Sequence, residues 1–197
     1  MPGPDSNTEE IREDDSTIER FDHDGNVIIV VEGQPPENTR RFLVSSKVLG
    51  LASPVFAKLF SPNFHEGTKL ANDTCPEISL HDDDPAAMGA IIAILHYQEP
   101  NEIAPTDAKW LAILAIHCDK YDCVKAMRAW VSTWFHHFQS IPTSEDYGHL
   151  IVAAHLFRNA EHFSKLTAKA QLGLRPGFAL EWEKSEIMHR LPDPVKL

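Results

Sequence analysis

The chain has 197 residues, 43% of them hydrophobic and 24% charged, which are the proportions of a soluble globular protein with a sizeable core. Its formal net charge of −11 argues against nucleic acid as the main partner, because binding phosphate groups requires an excess of Lys and Arg. No apolar run approaches the ~20 residues of a membrane span, and the N-terminus lacks the basic-then-apolar pattern of a secretory signal, so the sequence predicts a cytoplasmic or nuclear protein.

The first 20 residues form a strongly acidic segment with almost no apolar side chains. Seven of them are Asp or Glu and two are Arg. A segment of this composition cannot bury enough apolar surface to offset the entropy cost of ordering it. The sequence therefore predicts a disordered acidic tail over residues 1–20 and an ordered domain that begins at Phe21.

Three segments have the composition of strands. Residues 27–31 are a continuous β-branched run, which is typical of a strand buried on both faces. Residues 41–44 are predicted to form a second strand, antiparallel to the first if the loop between them is a simple hairpin. Residues 77–80 are predicted to form a third, short strand.

The stretch over residues 42–56 is the most informative part of the chain. It predicts the end of a strand, a short helical turn that carries Leu49, and then a second helix. Ser53 is suited to cap that second helix, and the proline after it to occupy the first helical position, where a missing N–H costs nothing. Phe56 lies on the apolar face of this helix. The polar residues 62–74 that follow are predicted to form a loop.

The rest of the chain has the periodicity of α-helices. An Asp-Pro pair at 84–85 predicts the start of a helix that ends near Tyr97 and is followed by a proline-containing loop. Further apolar stripes predict two helices, the first around residues 110–118 and the second from residue 124 to 138. Beyond residue 143, capping residues and apolar stripes predict an all-helical C-terminal segment.

The order of these elements resembles the BTB/POZ domain over residues 21–138. Residues 45–49 are similar to a turn of standalone BTB proteins from filamentous fungi, and residues 115–124 resemble a helix junction of the family in which a tyrosine, here Tyr121, packs beneath a helix pair. The resemblance implies an α+β fold, a small β-sheet flanked by helical hairpins, with an all-helical extension over residues 139–197 packed on it. The residues that match the family's structural signature are Val44, Leu49, Ser53, Phe56 and Tyr121.

The resemblance implies that the protein binds other proteins and is not an enzyme. The first functional hypothesis is an adaptor for a cullin-based ubiquitin ligase, and the alternative is a scaffolding or self-assembling protein with no cullin partner. Tyr97-Gln98-Glu99 resembles the hydrophobic-x-Glu motif by which cullin-binding members insert a side chain into the cullin, so Tyr97, Glu99 and Tyr121 are the predicted partner contacts. A simpler interpretation stays open, in which Tyr97 packs against its own helix and Glu99 is solvated.

The segment ahead of the first core strand argues against the usual homodimer. Family members that dimerise resemble one another in an extra amphipathic helix and a swapped strand at this place. Residues 11–20 of this chain are charged and offer only Ile11 and Ile18 as large apolar side chains. A homodimer therefore stays a hypothesis beside the cullin partner.

Candidate catalytic and metal-binding residues have simpler structural explanations. The tempting cluster includes His117 and Asp119, but its two cysteines, Cys118 and Cys123, are five residues apart and on different faces of a helix. Cys118 continues an apolar stripe and is expected to be a buried thiol. The eleven histidines show no triad spacing. The sequence therefore predicts no catalytic residue, no metal and no cofactor, and its three cysteines fit free thiols in a reducing compartment.

Overall fold

A computed structural model describes residues 18–33, 39–98, 107–138, 140–141, 143–175, 177–178 and 182–191. Strands and helices alternate in its first half, and helices alone follow in its second half. The elements are β1 (Ile18–Arg20), β2 (Val27–Val31), β3 (Arg40–Val44), α1 (Ser46–Ala52), α2 (Pro54–Leu59), α3 (His65–Asn72), β4 (Glu77–Leu80), α4 (Pro85–Leu95), α5 (Ala108–Lys120), α6 (Arg128–His136), α7 (Ser144–Leu156), α8 (Ala160–Gly173) and a short 3₁₀ helix (Glu186–Arg190).

The described strands form one four-stranded sheet in the order β1-β3-β2-β4. β2 and β3 are antiparallel, as the sequence predicted, while β4 runs parallel to β2 and β1 parallel to β3. Val27, Ile29 and Val31 are fully buried, whereas Ile28 and Val30 on the other face are half-buried. The prediction that this strand is buried on both faces was therefore wrong for the face that carries Ile28 and Val30.

The structure corrects the predicted start of the ordered domain. Ile18–Arg20, assigned from sequence to the disordered tail, form strand β1 at the edge of the sheet. Both carboxylate oxygens of Glu19 accept hydrogen bonds from the Arg40 guanidinium at 2.6 Å, a bidentate pair that fixes the strand's position beside β3. Residues 1–17 of the predicted tail lie outside the described residues, so their disorder stays a prediction.

Helix α3 corrects a second prediction, because it lies inside the segment that the sequence favoured as a loop. Phe64, at its N-cap, makes no side-chain capping bond, and Leu70 is the one large apolar residue of the helix, so the usual sequence signals are weak. Gly67 is the residue that lets this helix form here. A Cβ at that position would lie 1.9 Å from the Ser61 carbonyl oxygen, so any larger residue would push the helix away from the preceding turn.

The core is centred on α4, which is buried at nearly every position from Pro85 to Leu95. It packs against β3, α1 and α5 and so joins the sheet to the helical half of the molecule. Asp84 caps it by accepting from the Ala87 N–H at 2.7 Å, and Pro85 occupies its first turn, as the sequence predicted. None of the helices within the described residues is long and apolar enough to cross a bilayer.

The C-terminal helices cover the α5–α6 pair. α7 packs on α5, and α8 packs on α7. The ring centroids of Trp134 and Phe157 are 5.9 Å apart, and those of Phe135 and His162 are 4.5 Å apart. α6 begins at Arg128 instead of near residue 124, since residues 124–127 form turns after α5. The helical extension thus shares aromatic contacts with the helices that precede it.

We expect Phe56→Ala to destabilise the protein strongly. Phe56 is fully buried, and replacing a buried Phe by Ala typically costs ~3–5 kcal/mol of a domain's ~5–15 kcal/mol. Leu51 on the neighbouring helix is 81% exposed, so Leu51→Ala is a matched control that should change the free energy of unfolding by less than about 0.5 kcal/mol. Urea unfolding followed by circular dichroism measures both. Equal stabilities of the two variants would contradict this description of the core.

Candidate partner-binding surface

Tyr121 and its partners form a buried polar lock between three helices. The Tyr121 ring stacks on Phe56, with 4.6 Å between centroids and 4° between planes. The Ser53 hydroxyl accepts from the Phe56 N–H at 3.0 Å, which caps α2, and donates to the Tyr121 carbonyl oxygen. The Tyr121 hydroxyl donates to Asp83 Oδ2 at 2.7 Å. Burial and the neighbouring Asp83 carboxylate raise the pKa of Tyr121 well above its usual value, so the phenol stays a donor.

An apolar groove lies between α1 and the C-terminal end of α4, close to this lock. Its volume is about 300 Å³. Ile94 and Leu95, both buried, form its floor. The remaining side chains that line it on the α1 and α4 side are Val48, Leu51, Ala52 and Tyr97. Leu51 is 81% exposed and Tyr97 is 94% exposed, so two large hydrophobic side chains of the lining face solvent.

Tyr97 occupies an unfavourable backbone conformation. Its φ is 57°, in the left-handed region where a bulky side chain crowds the backbone. It follows the last residues of α4, and the N–H groups of Tyr97 and Gln98 donate back to the Ile94 and Ala93 carbonyls at 3.1 and 3.0 Å. This is the helix ending that usually takes glycine. The ending places Tyr97 directly after α4, where it lines the groove.

Two other helices in the described part of the chain end in the same way. Asp122 after α5 has φ 46°, and Arg158 after α7 has φ 56°. In each case, the following N–H donates to a carbonyl five residues back, from Cys123 to Cys118 and from Asn159 to Ala154. Asp122 and Arg158 are linked by a hydrogen bond of 3.4 Å, which gives them a structural role. Among the described residues, Tyr97 makes no comparable side-chain contact, and its ring is almost fully exposed.

A family model of the BTB/POZ domain matches residues 19–133, more than half of the chain. The chain belongs to the BTB/POZ domain family. This confirms both the family and the α+β fold class that the sequence predicted. The match ends within α6, so α7 and α8 lie beyond it. A comparison with curated proteins finds no matching relative.

The residues that the sequence matched to the family's structural signature all lie in the core. Val44, Leu49, Ser53 and Phe56 are fully buried. Tyr121 is only 4% exposed, so the structure does not place it on a surface that a partner can contact, and its predicted role as a contact was wrong. Its ring and hydroxyl are both engaged within the domain, which makes it a residue that positions the helices.

The described residues include Tyr97 and Gln98 of the predicted contact motif but not its third residue. Tyr97 is exposed, so the alternative in which it packs against its own helix is wrong, while Glu99 lies outside the described residues. A second hydrophobic-x-Glu triplet, Phe64-His65-Glu66, is fully described. Phe64 is 39% exposed with Lys58 Nζ 5.6 Å from its ring centroid, and Glu66 lies in the first turn of α3. Sequence reasoning missed this triplet because residues 62–74 were predicted to form a loop.

His96 and His117 act as neutral hydrogen-bond acceptors at the starts of two helices. Nδ1 of His96 lies 2.9 Å from the Ile92 carbonyl oxygen, and its Nε2 accepts the Ser45 N–H at 3.1 Å. His117 is bonded in the same pattern. Its Nδ1 lies 2.8 Å from the Ile113 carbonyl oxygen, and its Nε2 accepts the Asp84 N–H at 2.9 Å. The hydrogen-bond network thus places the proton of each ring on Nδ1. The 3.5 Å approach of His117 Nε2 to Asp83 is therefore no ion pair.

The cysteines and acidic residues of this region do not assemble a reactive site. Cys118 and Cys123 are buried, and burial raises the pKa of the Cys118 thiol, which keeps it protonated and unreactive. The Asp83 carboxylate is occupied by Lys120 Nζ at 2.9 Å and by Tyr121. The described residues contain no group of three or more side chains suited to hold a metal ion.

We expect the protein to lose stability as the pH falls from 7.5 to 5.5. Burial lowers the pKa of His96 below its ordinary value near 6.5, against weaker opposing effects of the Ile92 carbonyl and Asp22. The unfolded chain therefore takes up the proton first. The stability due to neutral His96 is fully present above about pH 6.5 and is lost as the pH falls through the folded pKa. Burial also lowers the pKa of His149 and of His162, so both histidines change the stability in the same direction as His96.

Thermal unfolding at a series of pH values tests this expectation. His96→Gln keeps an acceptor near Ser45 but does not titrate, so this variant should show a weaker fall of the thermal midpoint between pH 7.5 and 5.5. A midpoint that stays constant in the unmodified protein would contradict the assignment of neutral, acceptor histidines.

Proposed function

We propose that this BTB protein is a non-enzymatic interaction module of the cytoplasm or nucleus that serves as an adaptor for a cullin-based ubiquitin ligase. The observation that carries the proposal is Tyr97, which is 94% exposed and held at φ 57°. Backbone strain of this kind persists where the surrounding structure enforces it, and it concentrates at functional sites. Exposed aromatic residues beside an apolar groove are the anchors that dominate many protein interfaces.

Free-energy magnitudes support a functional role for this residue over a structural one. The left-handed conformation costs a non-glycine residue roughly 1–2 kcal/mol. Glycine would remove that cost and would raise the entropy of the unfolded chain by only about 0.4–1 kcal/mol. Glycine at position 97 is therefore at least as stable as tyrosine. A contact with a partner is the benefit that accounts for an exposed aromatic ring at this place.

Tyr97→Gly is expected to weaken partner binding at least tenfold without loss of stability. Isothermal titration with the purified N-terminal domain of a BTB-binding cullin should give a dissociation constant in the micromolar range or tighter for the unmodified chain, and at least a tenfold loss for the variant, as expected for an anchor worth ~2 kcal/mol. The thermal midpoint of the variant should be equal or higher. Arg158→Gly relieves the same backbone conformation after α7 and is the matched control that should keep full binding.

The second triplet provides an internal comparison. Phe64→Ala with Glu66→Ala removes an exposed aromatic and a carboxylate at the start of α3 without touching the groove. Loss of cullin binding in this variant alone would show that the contact is at α3. Loss in the Tyr97→Gly variant alone would show that the contact is at the groove. If the unmodified chain does not bind at micromolar concentration, the adaptor hypothesis is wrong.

Self-assembly is the second candidate function, and Leu51 favours it. This residue is 81% exposed on α1 and lines the groove, so two copies of the chain would bury it on association. Sedimentation velocity over a range of protein concentrations should then show a dimer that Leu51→Gln converts to a monomer. A monomer at all concentrations would contradict the self-assembly function. If that monomer also binds the cullin, the adaptor function alone is supported.

We further propose that the helical extension predicted over residues 139–197 is an integral part of the BTB protein and not a separate domain. The contacts of Trp134 with Phe157 and of Phe135 with His162 support this. In addition, Trp182 Nε1 donates to the Ser144 carbonyl at 2.9 Å and closes the C-terminal segment over α7. A chain truncated at Ile141 should aggregate or bind a hydrophobic dye, because it exposes Trp134 and Phe135. A truncated chain as stable as the full chain would contradict the proposal.

A further inference from the structure

The segments that build the groove carry a charge opposite to that of the whole protein. The chain has a formal net charge of −11. Residues 46–52, 91–98 and 123–130, which contain the lining side chains, include Lys47, Lys125 and Arg128 and no Asp or Glu. The described segments that line the groove thus carry only basic charges, and the nearest acidic residues, such as Asp22 beside His96 and Asp122 before Cys123, lie just outside them.

Two of these cations lie next to the lining residues. Lys47 and Leu51 are four residues apart on α1, so they share a face of that helix, and Leu51 lines the groove. Lys125 directly precedes Ala126, which lines the groove from the turn between α5 and α6. Both lysines are exposed. Their ammonium groups are thus accessible to anionic side chains of a partner.

The backbone of the groove has no free hydrogen-bonding edge for an extended peptide. Val48, Leu51 and Ala52 belong to α1, where the backbone groups bond within the helix. At the other wall, the N–H groups of Tyr97 and Gln98 donate to carbonyls of α4. An extended segment would find no partners here for its own N–H and C=O groups, whereas a helix satisfies them internally.

We propose that the groove binds an acidic amphipathic helix of a partner protein, with the apolar stripe of that helix against Ile94, Leu95 and Tyr97 and its carboxylates near Lys47 and Lys125. The proposal rests on the function proposed above, because it specifies the chemistry of the segment that occupies the same surface. Apolar side chains supply most of the affinity, and the lysines select the sign of the flanking charge and speed association.

Selection from a library of random 16-residue peptides displayed on phage, with the full chain as bait, tests the proposal. Enriched peptides should combine large apolar residues at spacings of three and four with an excess of Asp and Glu. Synthetic copies of them should bind the unmodified chain in fluorescence anisotropy, become helical on binding by circular dichroism, and lose affinity as salt is raised from 50 to 500 mM.

Two variants separate the parts of the proposal. Lys47→Glu with Lys125→Glu should weaken binding of the acidic peptides about tenfold and reverse the charge preference in a repeated selection, while thermal stability stays unchanged. Lys165→Glu with Lys169→Glu on α8, away from the lining residues, is the control that should alter neither. Tyr97→Gly should remove binding of all selected peptides.

Each contrary outcome has a distinct meaning. Peptides that depend on Tyr97 but carry no acidic excess would overturn the proposed chemistry and leave the groove as a docking surface. Peptides that bind the Tyr97→Gly protein equally well, or a selection that enriches no sequence, would overturn the helix-binding groove itself. Cullin binding measured separately on the same variants shows whether the adaptor function stands or fails with it.

Discussion

The stacking of Tyr121 on Phe56 is the contact on which the arrangement of the other helices depends. It brings the end of α5 against α2, and Ser53 reinforces it by capping α2 and donating to the Tyr121 carbonyl at the same time. Asp83, just before α4, accepts a hydrogen bond from the Tyr121 hydroxyl and so links the start of α4 to α5. Removing the Asp83 carboxylate would leave the buried Tyr121 hydroxyl without its acceptor, which costs more than the bond itself contributes. The lock therefore keeps α2, α4 and α5 in one arrangement.

The groove follows from a second set of contacts around His96. Its Nε2 accepts the N–H of Ser45 at the start of α1, while its own helix, α4, provides the groove floor one residue earlier. The distance between α1 and the end of α4 is thus set by one neutral imidazole and not by apolar packing alone. Because Tyr97 comes next in the chain, the exposed ring, the groove floor and the α1 wall are held by the same few residues.

The sequence predicts best where local chemistry decides the structure. Ser53 before Pro54 and Asp84 before Pro85 marked helix starts that the structure confirms, because a cap and a proline act within one turn. Strand β1 was missed because three residues at a sheet edge depend on a distant ion pair, from Glu19 to Arg40. The groove could not be predicted, since three separate segments build it. Nor could the left-handed conformation of Tyr97, a position where local rules favour glycine.

The conformation of Tyr97 sets thermal stability against partner binding at one position of the chain. Engineering for thermal tolerance, whether by replacing residues that strain the backbone or by reducing exposed apolar area, would choose position 97 early, because a small residue there improves both properties. The same change would erase the ring at the edge of the groove. A hyperstable version of this protein obtained without a binding screen would then be a well-folded domain that no longer engages its partner. Stabilisation is better sought at positions that do not line the groove, where the exposed ring of Tyr97 is left intact.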